Sequence, residues 1–212
     1  MKYVFVHGMT QKSLSWDKVI SCLQEKGAFD VHCPDWWSLL NGKDATYENI
    51  YASFVEYINT HHNENNSLNL CGLSFGGILS LNYALDFPDK VNALVLIGTQ
   101  YKYPKKMVKL QNFLLKLTPA SSFKNMGLVK KDMKALIGSL MDLDFSQKVK
   151  NISCPTLVLC GENDQKMFKE AADYLEKTIP NSQLIFIKDA GHQVNTDNPK
   201  ELASKIEKFL DF

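Results

Sequence analysis

The sequence predicts an α/β fold with a doubly wound, mostly or wholly parallel six-stranded sheet, helices on both faces and a short helical cap. Six short segments are almost continuously apolar, as expected of parallel strands that are covered on both faces. They are Lys2–Val6, Asp30–Cys33, Leu68–Cys71, Ala93–Ile97, Thr156–Cys160 and Gln183–Ile187. Between them, apolar residues recur three and four positions apart, as on one side of a helix. These helical patterns lie near Ser15–Lys26, Tyr47–Asn63, Gly76–Phe87, Phe168–Thr178 and Pro199–Phe212. Strands that alternate with helices in this way indicate a parallel sheet.

Composition narrows the class of protein. The chain has 212 residues, of which 45% are hydrophobic and 22% charged, as is typical of a globular domain with a sizeable core. No apolar run approaches the ~20 residues of a membrane helix, and the N-terminus lacks the pattern of a secretory signal. We therefore expect a cytoplasmic protein without membrane insertion. The five cysteines form no CxxC pair, which favours buried thiols over disulfides or metal ligands.

One segment interrupts the alternation of strands and helices. Residues Tyr101–Lys150 contain two helical patterns and no strand, so we predict a single domain over residues 1–212 with a helical cap inserted at 101–150. The first pattern consists of Met107, Leu110, Phe113, Leu114 and Leu117, and the second of Met133, Leu136, Ile137 and Leu140. We expect six of these residues to turn toward one edge of the sheet and line a pocket there, namely Phe113, Leu114, Leu117, Leu136, Ile137 and Leu140.

The same segment is strongly basic. Nine lysines and one acid lie between Tyr101 and Met141, giving +8, whereas the rest of the chain carries −7. This excess of positive charge is explained either by a solvated helix surface or by a surface that attracts an anionic partner.

The stretch Gly72-Leu73-Ser74-Phe75-Gly76 matches G-x-S-x-G between an apolar strand and a helix, which is the context that this motif requires. A serine on so sharp a turn needs neighbours without side chains, and the helix that follows directs its N–H groups at the reacting atom. The pattern predicts Ser74 as a nucleophile. The alternative is a glycine-rich turn that caps a helix.

Together with three further turns, this motif makes the sequence resemble an α/β-hydrolase over nearly its whole length. His7-Gly8-Met9-Thr10 resembles the family's turn after its third core strand. Gly161-Glu162-Asn163-Asp164 resembles the turn that carries the acid, and Ala190-Gly191-His192 resembles the turn that carries the histidine. The resemblance implies a triad in which Ser74 attacks, His192 is the base and Asp164 orients it, in the chain order of this fold. It also implies an oxyanion hole made by the backbone N–H groups of Met9 and Phe75, with Thr10 as an alternative.

The implied function is hydrolysis of a small carboxylic ester or thioester through an acyl-enzyme, without a cofactor or a metal ion. A lyase that uses the same triad and a ligand-binding or receptor-like protein remain alternatives. The expected partner is a small acyl substrate, with an anionic or carrier-bound one suggested by the lysines, and no nucleic acid.

The sequence leaves the roles of several residues open. Asp189, Asp142 and Asp144 are rival acids. His7 is interpreted as structural, His61 and His62 as solvated, and His32 has no assigned role; Trp16, Trp36 and Trp37 are interpreted as packing or pocket-rim residues. No oligomeric state is indicated.

Overall fold

The computed structural model describes residues 2–25, 30–62, 67–119 and 129–210. Within these ranges, six strands form one sheet in the order β2-β1-β3-β4-β5-β6, and every neighbouring pair is parallel. The strands are β1 (Lys2–Val6), β2 (Asp30–His32), β3 (Leu68–Leu73), β4 (Val91–Ile97), β5 (Thr156–Gly161) and β6 (Ser182–Ile187). The predicted fold class is therefore confirmed, and the strand bounds differ from the predicted ones by at most two residues.

The helices follow the predicted patterns closely. In the described part of the chain they are α1 (Asp17–Gln24), α2 (Tyr47–His61), α3 (Phe75–Asp86), α4 (Lys105–Leu117), α5 (Lys130–Ser139), α6 (Lys166–Thr178), α7 (Val194–Asp197) and α8 (Pro199–Leu210). Short 3₁₀ turns lie at Ser13–Trp16, Ser38–Leu40, Pro88–Lys90 and Val149–Asn151. None of the described helices is both long and apolar enough to cross a membrane.

The order of the strands creates a switch point in the sheet. From β1 the chain moves outward to β2, and it then returns to the other side of β1 to form β3 and the strands beyond it. The loops that leave the carboxyl ends of β1 and β3 therefore run to opposite faces and open a crevice between them. In open α/β sheets such a crevice is where ligands bind.

An apolar core covers one face of the sheet. Side chains of α1 and α8 pack there against inward-facing residues of the central strands, and the buried members of this cluster are at most 6% exposed. Members of this cluster include Val19, Leu23, Leu202 and Ile206 from the helices and Phe5, Leu73, Val95 and Leu157 from the strands. Because these strands are buried along almost their whole length, their sequences show no alternation of polar and apolar residues.

The chain divides into two compact units. The first comprises Met1–Asp35, His62–Gln100 and Gln147–Phe212, and it contains the sheet. The second comprises Trp36–His61 and Tyr101–Ser146. The second unit thus groups most of the predicted cap with α2, where the backbone N–H of Tyr47 donates to Ser139 Oγ at 2.8 Å. The position of the cap over the sheet stays a prediction.

The two helices of the predicted cap differ in how they use their apolar residues. Met133, Leu136, Ile137 and Leu140 are buried in and just after α5, whereas Leu110, Phe113, Leu114 and Leu117 of α4 are 52–67% exposed. The residues that α4 buries are Val108 and Leu115. A spacing of three and four marks one side of a helix, but it does not say whether that side packs inward.

The histidines, tryptophans and cysteines differ in how deeply they are buried. His61 is exposed as expected, but the interpretation of His62 as solvated is wrong, because its ring is buried 4.9 Å from the ring of His32. Trp16 and Trp36 are fully buried packing residues. All five cysteines are free thiols, and burial raises the pKa of the buried Cys71 well above its ordinary value.

Candidate functional site

Ser74 occupies a strained turn between β3 and α3. Its φ is 54° and its ψ is −111°, a conformation that residues with a Cβ rarely adopt and that costs about 1–3 kcal/mol. The backbone N–H of Ser74 donates to the carbonyl of Ile97 in β4 at 2.7 Å, which ties the turn to the neighbouring strand. Helix α3 begins at the next residue, Phe75, so the positive end of the helix dipole lies beside the serine.

The two glycines of the motif are required by close backbone approaches. A Cβ at Gly72 would overlap the backbone of Gly76, and a Cβ at Gly76 would overlap the backbone carbonyls of Val6 and His7. The helix can therefore start directly above β1 and β3 only if both positions lack a side chain. This is the structural reason for G-x-S-x-G at this turn.

A continuous chain of hydrogen bonds joins Ser74, His192 and Asp164. The distance from His192 Nδ1 to Asp164 Oδ2 is 2.9 Å, and that from His192 Nε2 to Ser74 Oγ is 2.9 Å. Because a carboxylate only accepts, Nδ1 carries the proton and Nε2 is left to accept from the Ser74 hydroxyl. The structure thus brings together three predicted residues that are separated by up to 118 positions.

Asp164 is held as a buried acceptor. Its side chain has no solvent exposure, and Oδ1 accepts the backbone N–H of Gln165 at 2.7 Å while Oδ2 accepts from His192. The thiol of Cys160 also donates to Oδ2, at 3.7 Å. Burial, followed by the charge of Asp164, raises the pKa of the Cys160 thiol to about 12, so this cysteine stays protonated.

The rival acids lie in other settings. Asp189 is an exposed residue in the turn after β6, with a φ of 53°. Asp142 forms an ion pair with Lys105 at 3.2 Å, and Asp144 accepts a hydrogen bond from the backbone N–H of Ser146 at 2.8 Å. Asp164 is therefore the acid that contacts His192.

The imidazole of His192 is enclosed on two sides. The ring of Phe168, in α6, lies 4.0 Å from it between ring centroids. On another side stands Gly98, whose φ is 53° and where a Cβ would lie 3.2 Å from the imidazole Nδ1 and Cε1 atoms. Neither residue was singled out from the sequence, although Gly98 directly follows β4 at the edge that carries the site.

The two residues predicted to supply oxyanion donors follow neighbouring strands. Phe75 is the first residue of α3, and Met9 lies in the turn after β1, which pairs with β3. Thr10 is exposed in the same turn as Met9. The switch point of the sheet thus lies between the two predicted donors, but their role stays a prediction.

A buried polar bridge joins the β1 turn to the segment that follows His192. Gln11 Nε2 donates to Asn195 Oδ1 at 2.9 Å, and Asn195 Nδ2 donates to the carbonyl of Ser15 at 3.2 Å. The Gln11 side chain also accepts the backbone N–H of Gly8 at 3.3 Å. Asn195 has no exposed surface. Sequence reasoning missed this bridge, because its partners are 184 residues apart and no motif links them.

His7 is completely buried just before the turn. Its Nδ1 donates to the carbonyl of Gly8 at 2.9 Å, and its Nε2 lies 3.5 Å from Asp35 Oδ1. Burial lowers the pKa of His7, and the Gly8 contact and the charge of Asp35 only partly oppose that effect. These contacts suit the structural role that the sequence predicts for His7.

The side chains of the site are arranged for nucleophilic chemistry. It combines a hydroxyl on a strained turn, an imidazole that can accept its proton and a buried carboxylate that holds the imidazole in place. In the described ranges, no group of three or more histidine, cysteine, aspartate or glutamate residues is arranged to hold a metal ion.

Known proteins resemble this chain in sequence. It is 24% identical over 250 aligned positions to the putative 2-succinyl-6-hydroxy-2,4-cyclohexadiene-1-carboxylate synthase of Bacillus subtilis (strain 168), covering 98% of this chain and 89% of that protein. It is 25% identical over 181 positions to the monoacylglycerol lipase ABHD6 of Bos taurus, covering 66% of this chain and 54% of the lipase. The chain therefore spans about half the length of that lipase.

Structural similarity extends over the entire chain. A hydrolase from Pseudomonas aeruginosa PA01 superposes with a TM-score of 0.81 at 17% identity, covering 100% of this chain and 90% of that one. At this level of identity the likeness shows the fold. Residues 4–122, more than half of the chain, match the family model described as alpha/beta hydrolase fold. The chain belongs to the alpha/beta hydrolase fold family.

Proposed function

We propose that this protein is a serine hydrolase that cleaves a small carboxylic ester or thioester through an acyl-enzyme on Ser74. The observation that carries the proposal is the unbroken hydrogen-bond chain from Ser74 Oγ through His192 to Asp164, with both distances at 2.9 Å. Such a chain activates an otherwise weak hydroxyl nucleophile. The lipase among the relatives is in keeping with an acyl substrate.

In the first half of the reaction, Ser74 Oγ attacks the carbonyl carbon while its proton passes to His192 Nε2. The carbonyl π electrons move to the oxygen, whose negative charge is stabilised by the N–H groups assigned to Met9 and Phe75. Asp164 stabilises the imidazolium that forms. When the carbonyl re-forms, the bond to the leaving alkoxide or thiolate breaks and His192 returns the proton to it.

Water completes the cycle by the same route in reverse. His192 accepts a proton from the water, whose oxygen bonds to the acyl carbon, and the ester bond to Ser74 breaks as the proton passes to Oγ. One oxygen atom of water therefore enters the acid product. Protonated Cys160 takes no part in the transfer, because its sulfur contacts Asp164 and its pKa is raised to about 12.

The test is mass-spectrometric mapping after treatment with a fluorophosphonate, together with turnover of a short-chain p-nitrophenyl ester. We expect the adduct on Ser74, and a loss on the order of 10⁴–10⁶ in kcat for Ser74→Ala. Ser204→Ala, at an exposed helical serine, is the matched control and should behave like the unaltered protein. An adduct elsewhere, or an active Ser74→Ala variant, would contradict the assignment.

A lyase reaction on the same residues is the second candidate, because the relative from Bacillus subtilis that covers 98% of this chain is named a synthase. In an elimination, Ser74 and His192 would act only as a base and no acyl-enzyme would form. Turnover in H₂¹⁸O distinguishes the two reactions. Hydrolysis incorporates one labelled oxygen into the acid product, and elimination incorporates none.

A further inference from the structure

Helix α4 presents an exposed row of large apolar side chains. Leu110, Phe113, Leu114 and Leu117, here called the α4 stripe, are 58%, 57%, 52% and 67% exposed. They stand at positions i, i+3, i+4 and i+7, so they form one row about 10 Å long on the side of the helix opposite Val108 and Leu115. Four large apolar side chains in one row call for an explanation that single exposed residues do not.

The end of α4 is capped by a lysine from the start of α5. Lys130 Nζ donates to the carbonyls of Lys116 and Thr118, at 2.9 and 2.7 Å. Val129, directly before this lysine, is another exposed apolar residue, at 60%.

Positive charge accompanies the stripe. Lys106 lies one turn before Leu110, and Lys109 and Lys116 lie beside the row; all three are exposed and form no ion pair with an acid in the described ranges. Helix α4 itself contains no aspartate or glutamate. A helix with an apolar row and uncompensated lysines alongside has the character of helices that lie in a lipid–water interface.

We propose that α4 docks on an anionic lipid surface, with the α4 stripe among the acyl chains and Lys106, Lys109 and Lys116 at the headgroups. Two copies of the chain fit the stripe poorly, because their contact would bring six lysines together without an acid on either helix. An acidic protein fits less well than lipid, because the row contains no polar side chain to make directional bonds. Lysine, a point charge on a flexible stem, suits a diffuse negative surface.

Co-sedimentation with vesicles tests the proposal. We expect the protein to bind vesicles of phosphatidylcholine and phosphatidylglycerol (7:3) at 0.1 M NaCl at least tenfold more strongly than pure phosphatidylcholine vesicles. The preference should shrink at 0.5 M NaCl, because salt screens surface charges. Each lysine near such a surface strengthens binding roughly fivefold, so the Lys106→Gln/Lys109→Gln/Lys116→Gln variant should bind on the order of 10² times more weakly.

The contribution of the apolar α4 stripe is tested by the Leu110→Ser/Phe113→Ser/Leu117→Ser variant. We expect this variant to lose at least tenfold in vesicle binding. Leu14→Ser, at an apolar residue that is 73% exposed outside α4, is its control. Lys177→Gln/Lys200→Gln/Lys208→Gln removes three exposed lysines from other helices and controls for net charge. Both controls should bind as the unaltered protein does, and a thermal melt of each variant checks that it is folded.

Three results would overturn the proposal. The first is no sedimentation at 1 mM lipid, which would leave an acidic protein as the occupant. The second is an equal loss in the two lysine variants. The third is a dimer in analytical ultracentrifugation that the triple serine variant converts to a monomer, which would assign the surface to a second copy. Ser74→Ala should bind vesicles normally, so failure of the proposed hydrolase activity would leave this inference untouched.

Discussion

Asp164→Asn changes the proton arrangement of the site while keeping the size of the side chain. In the unaltered protein, Oδ1 accepts the Gln165 N–H at 2.7 Å and Oδ2 accepts His192 Nδ1–H at 2.9 Å. The Gln165 N–H can only donate, so the asparagine must keep its oxygen at the Oδ1 position. Its NH₂ group then replaces Oδ2 and also donates, toward His192 Nδ1.

Two donors cannot face each other, so His192 has to move its proton to Nε2. Nε2–H would then donate to Ser74 Oγ and could no longer accept the hydroxyl proton. An equivalent exchange in another serine triad costs about 10⁴ in kcat. We therefore expect a loss of roughly 10³–10⁴, or about 4–5.5 kcal/mol in activation free energy.

The measurement is kcat for a short-chain p-nitrophenyl ester, together with ¹⁵N NMR of the histidine ring, which reports the tautomer directly. Asp189→Asn is the matched control, since this exposed aspartate also lies in a turn after a strand, and it should keep full activity. If Asp164→Asn retains activity within tenfold, or if its imidazole keeps the proton on Nδ1, the reasoning from the Gln165 contact is wrong.

Three further predictions concern the frame of the site. Gly76→Ala should lower the free energy of unfolding by about 1–3 kcal/mol in urea, because its Cβ would overlap backbone carbonyls, whereas Gly138→Ala, where a Cβ meets open space, should stabilise the protein slightly. His7 has a lowered pKa in the folded protein, so below pH ~6.5 the unfolded chain binds a proton that the folded one does not. The free energy of unfolding should therefore decrease as the pH is lowered through this range, and it should decrease less in the His7→Asn variant. Asn195→Leu should lower kcat by roughly 10–100-fold with little change in KM; an unchanged kcat in the folded variant would show that the bridge to Gln11 does not position the site.

Much of the fold and of the candidate site could be predicted from the sequence, because their signals are local. The strands are continuous apolar runs, and Gly72 and Gly76 identify the turn because no other residue fits the backbone approaches there. His192 and Asp164 each follow a strand on the edge that carries Ser74. In a parallel sheet, the carboxyl ends of the strands share one edge, so residues distant in sequence can be expected to meet.

The features that could not be predicted from the sequence depend on partners that lie far away in the chain. The burial of His62 results from its packing against His32, and a polar sequence at the end of α2 gave no sign of it. The apolar pattern in α4 was correct as a helical pattern, but only the structure distinguishes the exposed Phe113 from the buried Leu115. Periodicity indicates that a helix has two sides, whereas burial depends on what packs against each side.

The Gln11–Asn195 bridge shows how the sheet alone leaves the site incomplete. Strand pairing places the turn after β1 beside Ser74, but it does not connect that turn to the segment after β6, which lies at the far end of the sheet order. The bridge supplies this connection through a side chain with no exposed surface. A buried amide that has lost its water must keep its protein partners, since an unsatisfied group costs about 1–3 kcal/mol. The same bonds that satisfy Asn195 therefore hold the segment after His192 and the turn after β1 at a fixed distance, which the proposed reaction requires if the proposed base His192 and the proposed donor Met9 are to act on one substrate.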